Sequence, residues 1–299
     1  MKRYLINFSY IGTRFRGVQK QFNKGVPVFE FETVQSVLDS AFLKIINKPL
    51  NTPKIYVASR TDQGVHALHA AAHVDLEFVR PNTTEEIISN LNYYLTKKDF
   101  DIRILSLKEV PDEFHARYSA VRKKYLYRFA VVKPESLSII SDKKHCLPWP
   151  ILEKDRCLFI NTLNIDIEKL KEASKLFVGT HNFTTFMHKA LQHPDVDPVK
   201  NIESIELLPG RTQVDSSEVK HFDFWQLHFT GKSFLYKQVR RMVSILIAVG
   251  SGRMNAAEIE FMLTNPHQSS WNGKVCVVPG FGLYLQNIEY NESDLVKKE

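Results

Sequence analysis

Apolar positions along the chain switch repeatedly between a period of two and a period near 3.6, and the switches outline its elements. Tyr4 to Tyr10 alternates in part and ends in Ile11-Gly12-Thr13, a strand running into a turn. Thr33 opens a stretch in which Val34, Val37, Leu38, Ala41, Phe42 and Ile45 share one helical face. A short strand over 55–58 follows. From about Ala70 the pattern is again a half-buried strand, with Ala72, Val74, Leu76 and Phe78 alternating against His73, Asp75 and Glu77. Pro81-Asn82-Thr83-Thr84 starts a second helix carrying Ile87, Ile88, Leu91 and Leu95, and 102–107 closes the round as a strand.

A second round repeats the order without repeating the sequence. Strands are expected over 123–132, 202–208, 222–229 and 282–290. A helix over 165–178 stops at Gly179, and another over 234–249 is capped by Ser233. Pro134 to Asn164, with Pro148, Trp149 and Pro150, reads as irregular, and the last residues as a polar tail. Strand pairs that need no parallel crossover give an α+β fold of two halves, 1–111 and 112–299, sharing one sheet.

Composition narrows the class. In 299 residues, 43% hydrophobic and 24% charged, there is material for two ordinary cores. Forty basic against 33 acidic side chains leave +7, which suits a polyanionic partner and equally a merely basic soluble protein. Cys146, Cys157 and Cys276 are too few and too scattered for a disulfide framework or a four-ligand zinc site. No apolar run approaches the roughly 20 residues of a spanning helix, and no membrane partner is expected. Without a signal core or long presequence before Tyr4, the expected compartment is intracellular, cytoplasm or mitochondrion.

Several clusters could carry chemistry. Ser59-Arg60-Thr61-Asp62-Gln63-Gly64-Val65-His66-Ala67 breaks a strand into turn formers, which projects a carboxylate and a guanidinium from a fixed scaffold. The same residues also fit a surface turn with a capping Asp. After Phe114-His115-Ala116-Arg117-Tyr118-Ser119-Ala120, the next strand places Lys123, Tyr125, Tyr127 and Phe129 on one face and Arg122, Lys124 and Arg128 on the other. Aromatics between cations suit a splayed base beside a phosphate, and also suit an aromatic core face backed by a solvated basic one. On the helix over 234–249, Lys237, Arg240, Arg241 and Ser244 share a face. Arg240 lies at its border, where it could reach a buried carboxylate.

Asp62, His66, His69 and His73 would stack four metal ligands on one face of a continuous helix. The alternation from Ala72 to Phe78 argues against that helix, and no metal is expected. Gly179 to Phe186 is a polar loop with hydroxyls suited to phosphate. A Gly-rich phosphate loop, a dinucleotide fingerprint and a nucleophile elbow are all missing from the sequence.

Taken together the clusters resemble the TruA family of tRNA pseudouridine synthases. Ser59 to Ala67 is similar to that family's Gly-Arg-Thr-Asp-x-Gly-Val-His-Ala signature, with Ser59 in the first glycine position. Phe114–Ala120 with Lys123-Lys124-Tyr125-Leu126-Tyr127 resembles its second motif, and Phe234 to Val243 its third. Gly12-Thr13, Gly17, Gln19, Val34-Gln35, Gly179 to Phe183 and Pro279 to Leu283 also fit, in order, across residues 4 to 290. Val18 where a Trp is usual, Met187-His188 for an Arg, and Lys200 for another Arg resemble the eukaryotic tRNA pseudouridine synthase-like branch.

The resemblance implies two ferredoxin-like α/β halves on a mixed, mostly antiparallel sheet, with helices on one side and a basic cleft on the other. It implies isomerisation of uridine to pseudouridine in RNA after base flipping, with tRNA the first expectation and the anticodon stem-loop, roughly positions 38–40, the expected target. Asp62 would be the catalytic carboxylate, Arg240 its partner, and Tyr125 the ring that stacks on the base and moves a proton. Arg60, Thr61, His66, Arg117, Lys123, Lys124, Tyr127, Lys237 and Arg241 would contact the RNA. No cofactor is implied, since no atom or electron enters or leaves, and a homodimer is implied. The rival readings are a catalytically reduced RNA-binding member of the family, a metal-dependent hydrolase and a glycosidase. The last lacks a second carboxylate in the motif.

Overall fold

The computed structural model describes residues 1–23, 26–28, 32–46, 53–77, 83–136, 149–160, 165–188, 196–213 and 215–297. Among these the strands are β1 (Lys2–Tyr10), β2 (Gln21–Asn23), β3 (Val26–Val28), β4 (Ile55–Val57), β5 (His66–Leu76), β6 (Ile102–Val110), β7 (Ala120–Val132), β8 (Leu158–Ile160), β9 (Gly179–Asn182), β10 (Val199–Pro209), β11 (Phe222–Gly231) and β12 (Leu283–Tyr290). The helices are α1 (Val34–Ile45), α2 (Thr84–Lys97), α3 (Ile167–Ser174), α4 (Gln238–Gly250) and α5 (Ala256–Thr264). The fold is α+β with mixed, mostly antiparallel strand pairing. None of the described helices is long and apolar enough to cross a membrane.

Polar side chains start the helices. Thr33 with Ser36, Thr83 with Glu86 and Asn255 with Glu258 form capping boxes that satisfy backbone donors at the first turns of α1, α2 and α5. Asp166 caps α3 through the Lys169 amide.

The chain divides into two compact units, Met1–Lys123 with Tyr284–Glu299, and Lys124–Leu283. The division falls inside β7, beyond Pro111-Asp112, and the last strand returns to the first unit. In that unit β1 pairs antiparallel with β6 on one edge and β5 on the other, burying Ile6 and Phe8 completely. The far edge of β5 is shared. β4 pairs antiparallel along Ala72–Val74, and β12 pairs in parallel at His66 and Ala67. The loop 59–65 leaves the sheet edge between those two pairings. Helix α2 is fastened to β6 by Asn92, whose amide donates to Ile104 O and whose oxygen accepts the Ile104 amide.

The second unit orders its strands β7-β11-β10-β9, with β8 parallel to β7 at Phe129–Val131. Helix α4 is buried along nearly its whole length from Val239 to Gly250, more deeply than an amphipathic pattern requires.

Several expectations change. β5 begins at His66, four residues ahead of the alternation, and Phe78, Pro81 and Asn82 lie outside the described residues, as do Cys146 and Pro148. Within 134–164 the chain forms β8 and a short 3-10 turn at Ile151–Glu153, so this stretch is not wholly irregular. Helix α4 starts at Gln238: Lys237 adopts a left-handed conformation (φ 62°), and the Gln238 side chain accepts the Leu235 amide. Ser233 and Phe234 therefore precede the helix. The basic face expected on β7 is not solvated at Arg128. Its guanidinium is buried and forks onto Glu153, which also accepts the Gln213 amide.

Removing one partner of such a buried pair strands the other charge. Glu153→Ala is expected to cost about 3–5 kcal/mol in denaturant unfolding. A loss below 1 kcal/mol would show that Arg128 finds another acceptor.

Candidate active site

The loop 59–65 is held from below by backbone. Val18 N donates to Thr61 O (3.3 Å), Gly64 N donates to Phe15 O (3.3 Å), and Val65 N closes the turn on Asp62 O (3.2 Å). Gly64 supplies the positive φ (77°) the turn needs. Thr61 Oγ1 shares a 2.7 Å hydrogen bond with Tyr10 OH at the end of β1. The approach is so close that a Cβ on Gly12 would lie 1.9 Å from Val65 O, and one on Gly17 (φ 110°) 2.8 Å from Thr61 O.

The clamping segment is itself tied to α1. Gly17 O and Val18 O accept the Val34 and Gln35 amides, and the Gln35 side chain bridges Lys20 N to Ile55 O. Asp62 is half-buried at the crest of this assembly. His66 turns inward, accepts the Gly12 amide at Nδ1 (3.0 Å) and stacks on Tyr284 (4.6 Å).

Three cations surround the turn in the same unit. Lys123 is buried with Nζ donating to Ala58 O (2.7 Å). Burial first, and the Arg117 charge second, lower its pKa to about 8. Arg60 stands at the surface. Partial desolvation and then Arg117 hold it below the usual guanidinium range. Among the described residues no carboxylate forms an ion pair with Arg60, Arg117 or Lys123.

The His cluster does not form a metal face. Along an extended strand at about 3.3 Å per residue, His66 and His73 stand roughly 20 Å apart. His69 is exposed, while His73 accepts the Ala116 amide. Among the described residues no group of His, Cys, Asp or Glu is placed to hold an ion.

In the second unit, Tyr125 is 6% exposed and meets Phe234 edge-on at 5.1 Å. Arg240 Nε donates to Val278 O (2.9 Å). Ser244 Oγ donates to Arg240 O and accepts the Val278 amide, so the peptide around Val278 is fixed to α4 from both sides. Lys237, in its left-handed conformation, holds its ammonium 5.2 Å over the Tyr236 ring.

Comparison with known proteins supplies the identity. A family model described as tRNA pseudouridine synthase matches residues 173–291. A Xenopus laevis protein named tRNA pseudouridine synthase-like 1 is 33% identical over 98% of this chain and 93% of its own. Its human namesake is 32% identical over 96% and 90%. The tRNA pseudouridine synthase A of Limosilactobacillus reuteri is 34% identical over 98% and 99%. The chain belongs to the TruA family of tRNA pseudouridine synthases.

Within that family's motifs the structure separates outward from inward side chains. Asp62, Arg60, Arg117 and Lys124 keep some exposure. Tyr127 does not. It is fully buried, its hydroxyl donates to Pro279 O (3.0 Å), and its ring fills the space a side chain at Gly282 would need. Burial pushes its phenol well above the ordinary range, against a smaller opposing pull from Arg240. Arg241 is also buried, donating to Thr185 O (2.7 Å) and stacking 4.7 Å from Trp271. Tyr127 and Arg241, both expected among the RNA contacts, are engaged internally: Tyr127 is fully buried and Arg241 largely so.

The polar loop expected over 179–186 is instead β9 followed by a 3-10 turn at Thr184–Phe186: Asn182 Oδ1 accepts the Thr184 amide, and the Thr185 hydroxyl is buried against Met262 O and His267 O. Val18, where the family usually has Trp, contributes a backbone amide that any residue other than proline could provide. Phe15, Tyr10 and Tyr284 support the turn or the strand after it although no chemistry-bearing pattern marks them, and Gln35 of the family-like Val34-Gln35 pair anchors the clamping segment.

Gly12→Ala is expected to destabilise the protein by about 1–3 kcal/mol or more, because the clash is with backbone rather than a movable side chain. Wild-type thermal melting would refute the clamp. As pH rises through about 8, Lys123 loses its charge and the three cations become two. RNA affinity should weaken a few-fold between pH 7 and 9 in the wild type and stay flatter in Lys123→Met, read by filter binding.

Proposed function

We propose that this protein isomerises uridine to pseudouridine in tRNA with Asp62 as the catalytic carboxylate. As a member of its family it is an RNA pseudouridine synthase, an intramolecular transferase. One observation carries the assignment of the residue: the family's Arg-Thr-Asp turn is present and is held rigidly by backbone from 12–18. Catalysis by positioning needs such a scaffold, since small misplacements of a reacting group are costly.

The reaction breaks the N1–C1′ bond, turns the base and forms a C5–C1′ bond; C5 gives up its hydrogen and N1 gains a proton. Atoms and electrons balance without a cofactor. An ionised carboxylate suits either attack on the sugar or removal of a proton. Arg60, beside Asp62 in sequence, is proposed to hold the flipped nucleotide or its phosphate. Tyr125 and Arg240 are proposed to act in the same reaction, on the strength of the second and third motifs. A target near positions 38–40 of the anticodon stem-loop is favoured because bases that are already partly unstacked cost least to extrude. A homodimer, and a place in cytoplasm or mitochondrion, complete the proposal.

Asp62→Asn is expected to reduce tritium release from [5-³H]uridine-labelled tRNA to background while RNA binding stays within about threefold. Near-normal turnover would overturn the assignment. Arg240→Ala should lower the rate by about 10²-fold or more. Cells lacking the protein should lose pseudouridine at the target positions, and dimerisation is read by light scattering.

A further inference from the structure

A ladder of rings lies on the first unit, which also holds Arg60, Arg117 and Lys123, three cations with no ion pair among the described residues. Tyr56 stacks on His73 at 4.8 Å and 7°, His73 meets His115 edge-on at 4.6 Å and 66°, and His115 meets Tyr118 at 4.4 Å, tilted by 38°. The two ends are open: Tyr118 is 73% exposed and Tyr56 46%. The Arg117 guanidinium lies 5.6 Å from the Tyr118 ring, and its charge is felt at Arg60, Lys123 and His115.

The ladder is built stiffly. Arg3 forks onto Asp75 and donates to Phe114 O, while Tyr290 OH donates to Ala116 O. The Ser119 amide returns to His115 O, and its hydroxyl accepts the His115 amide. His73 accepts the Ala116 amide at Nδ1, and His115 accepts the Arg117 amide, so the inner rings are oriented by backbone donors. Burial lowers His73 to about 4 and also lowers His115, which leaves both rings aromatic and uncharged at neutral pH.

The outward parts of the two end tyrosines add no burial to the fold. They do suit a ligand that brings its own flat rings and negative charge. We propose that the Tyr56–His73–His115–Tyr118 ladder, with Arg117 beside it, is a stacking platform for an unpaired nucleotide of the RNA substrate flanking the target uridine. A base would lie on the open Tyr118 face while its phosphate meets Arg117. The proposal rests on the reading of the substrate as RNA, and it adds a contact outside the motif turn.

The test measures binding of a tRNA transcript and single-turnover pseudouridine formation for the wild type, Tyr118→Ala, Tyr118→Phe and Tyr56→Ala, with thermal melting as a fold control. Stacking of one base predicts at least about fivefold weaker binding for Tyr118→Ala, near-wild-type binding for Tyr118→Phe, and a loss in Kd rather than in the rate constant at saturating RNA. Unchanged binding in both alanine variants would overturn the platform while leaving Asp62 catalysis standing. A wild type that binds RNA in a Tyr118-dependent way but forms no pseudouridine would support the platform and sink the catalytic reading. A wild type that binds no RNA would overturn both.

Discussion

The close approach of two backbone segments governs the first unit. Residues 12–18 and 59–65 meet with so little space that neither Gly12 nor Gly17 can carry a side chain. That contact turns a loop leaving a sheet edge into a fixed mount for Asp62. It also explains why α1 begins where it does. The carbonyls of Gly17 and Val18 serve the first amides of the helix while their neighbouring amide and carbonyl groups serve the turn. Helix, clamp and turn are therefore one hydrogen-bonded unit, and a disturbance at any of the three is felt at the carboxylate.

The charge around the turn is arranged in tension with folding. Among the described residues buried Lys123 donates to the Ala58 carbonyl and pairs with no carboxylate, and the Arg117 charge adds to its discomfort. Desolvating an ammonium without an anion opposes folding, and a carboxylate in place of Ala58 would have relieved it. The contrast with Arg128, forked onto Glu153 in the second unit, shows that the chain does pair a buried cation where the role is internal. Cations left unpaired are what a polyanionic ligand would complete.

Periodicity exposed most of the described sheet and three of the five described helices near their true places, because strands and amphipathic helices repeat their burial. It failed where burial is not periodic. Residues 66–69 alternate poorly since β5 carries a bulge against β1 there, which hid the strand's first turn of chain. Leu235 to Lys237 looked helical because apolar spacing continues through them, while the break depends on one left-handed residue that composition does not announce. Helix α5, with apolar residues on more than one side and a weakly one-sided pattern, left no clear stripe to read. Asp62, Tyr125 and Arg240 stood out through the ordered motifs, whereas Gln35 and Tyr10 act by reaching a neighbour that only the fold brings near.

A motif match cannot distinguish a side chain that meets substrate from one that holds the residues which do. Tyr127 and Arg241 sit in the same motifs as Tyr125 and Arg240, yet one props up the loop at Pro279–Gly282 and the other binds Thr185 O under Trp271. Replacing either removes an internal hydrogen bond, so stability is lost along with whatever else the residue does. Asp62, at the half-exposed crest of a turn whose supports are mostly backbone, is the opposite case. The backbone hydrogen bonds that hold the turn do not depend on which side chain stands at that position, so a conservative change there leaves them in place.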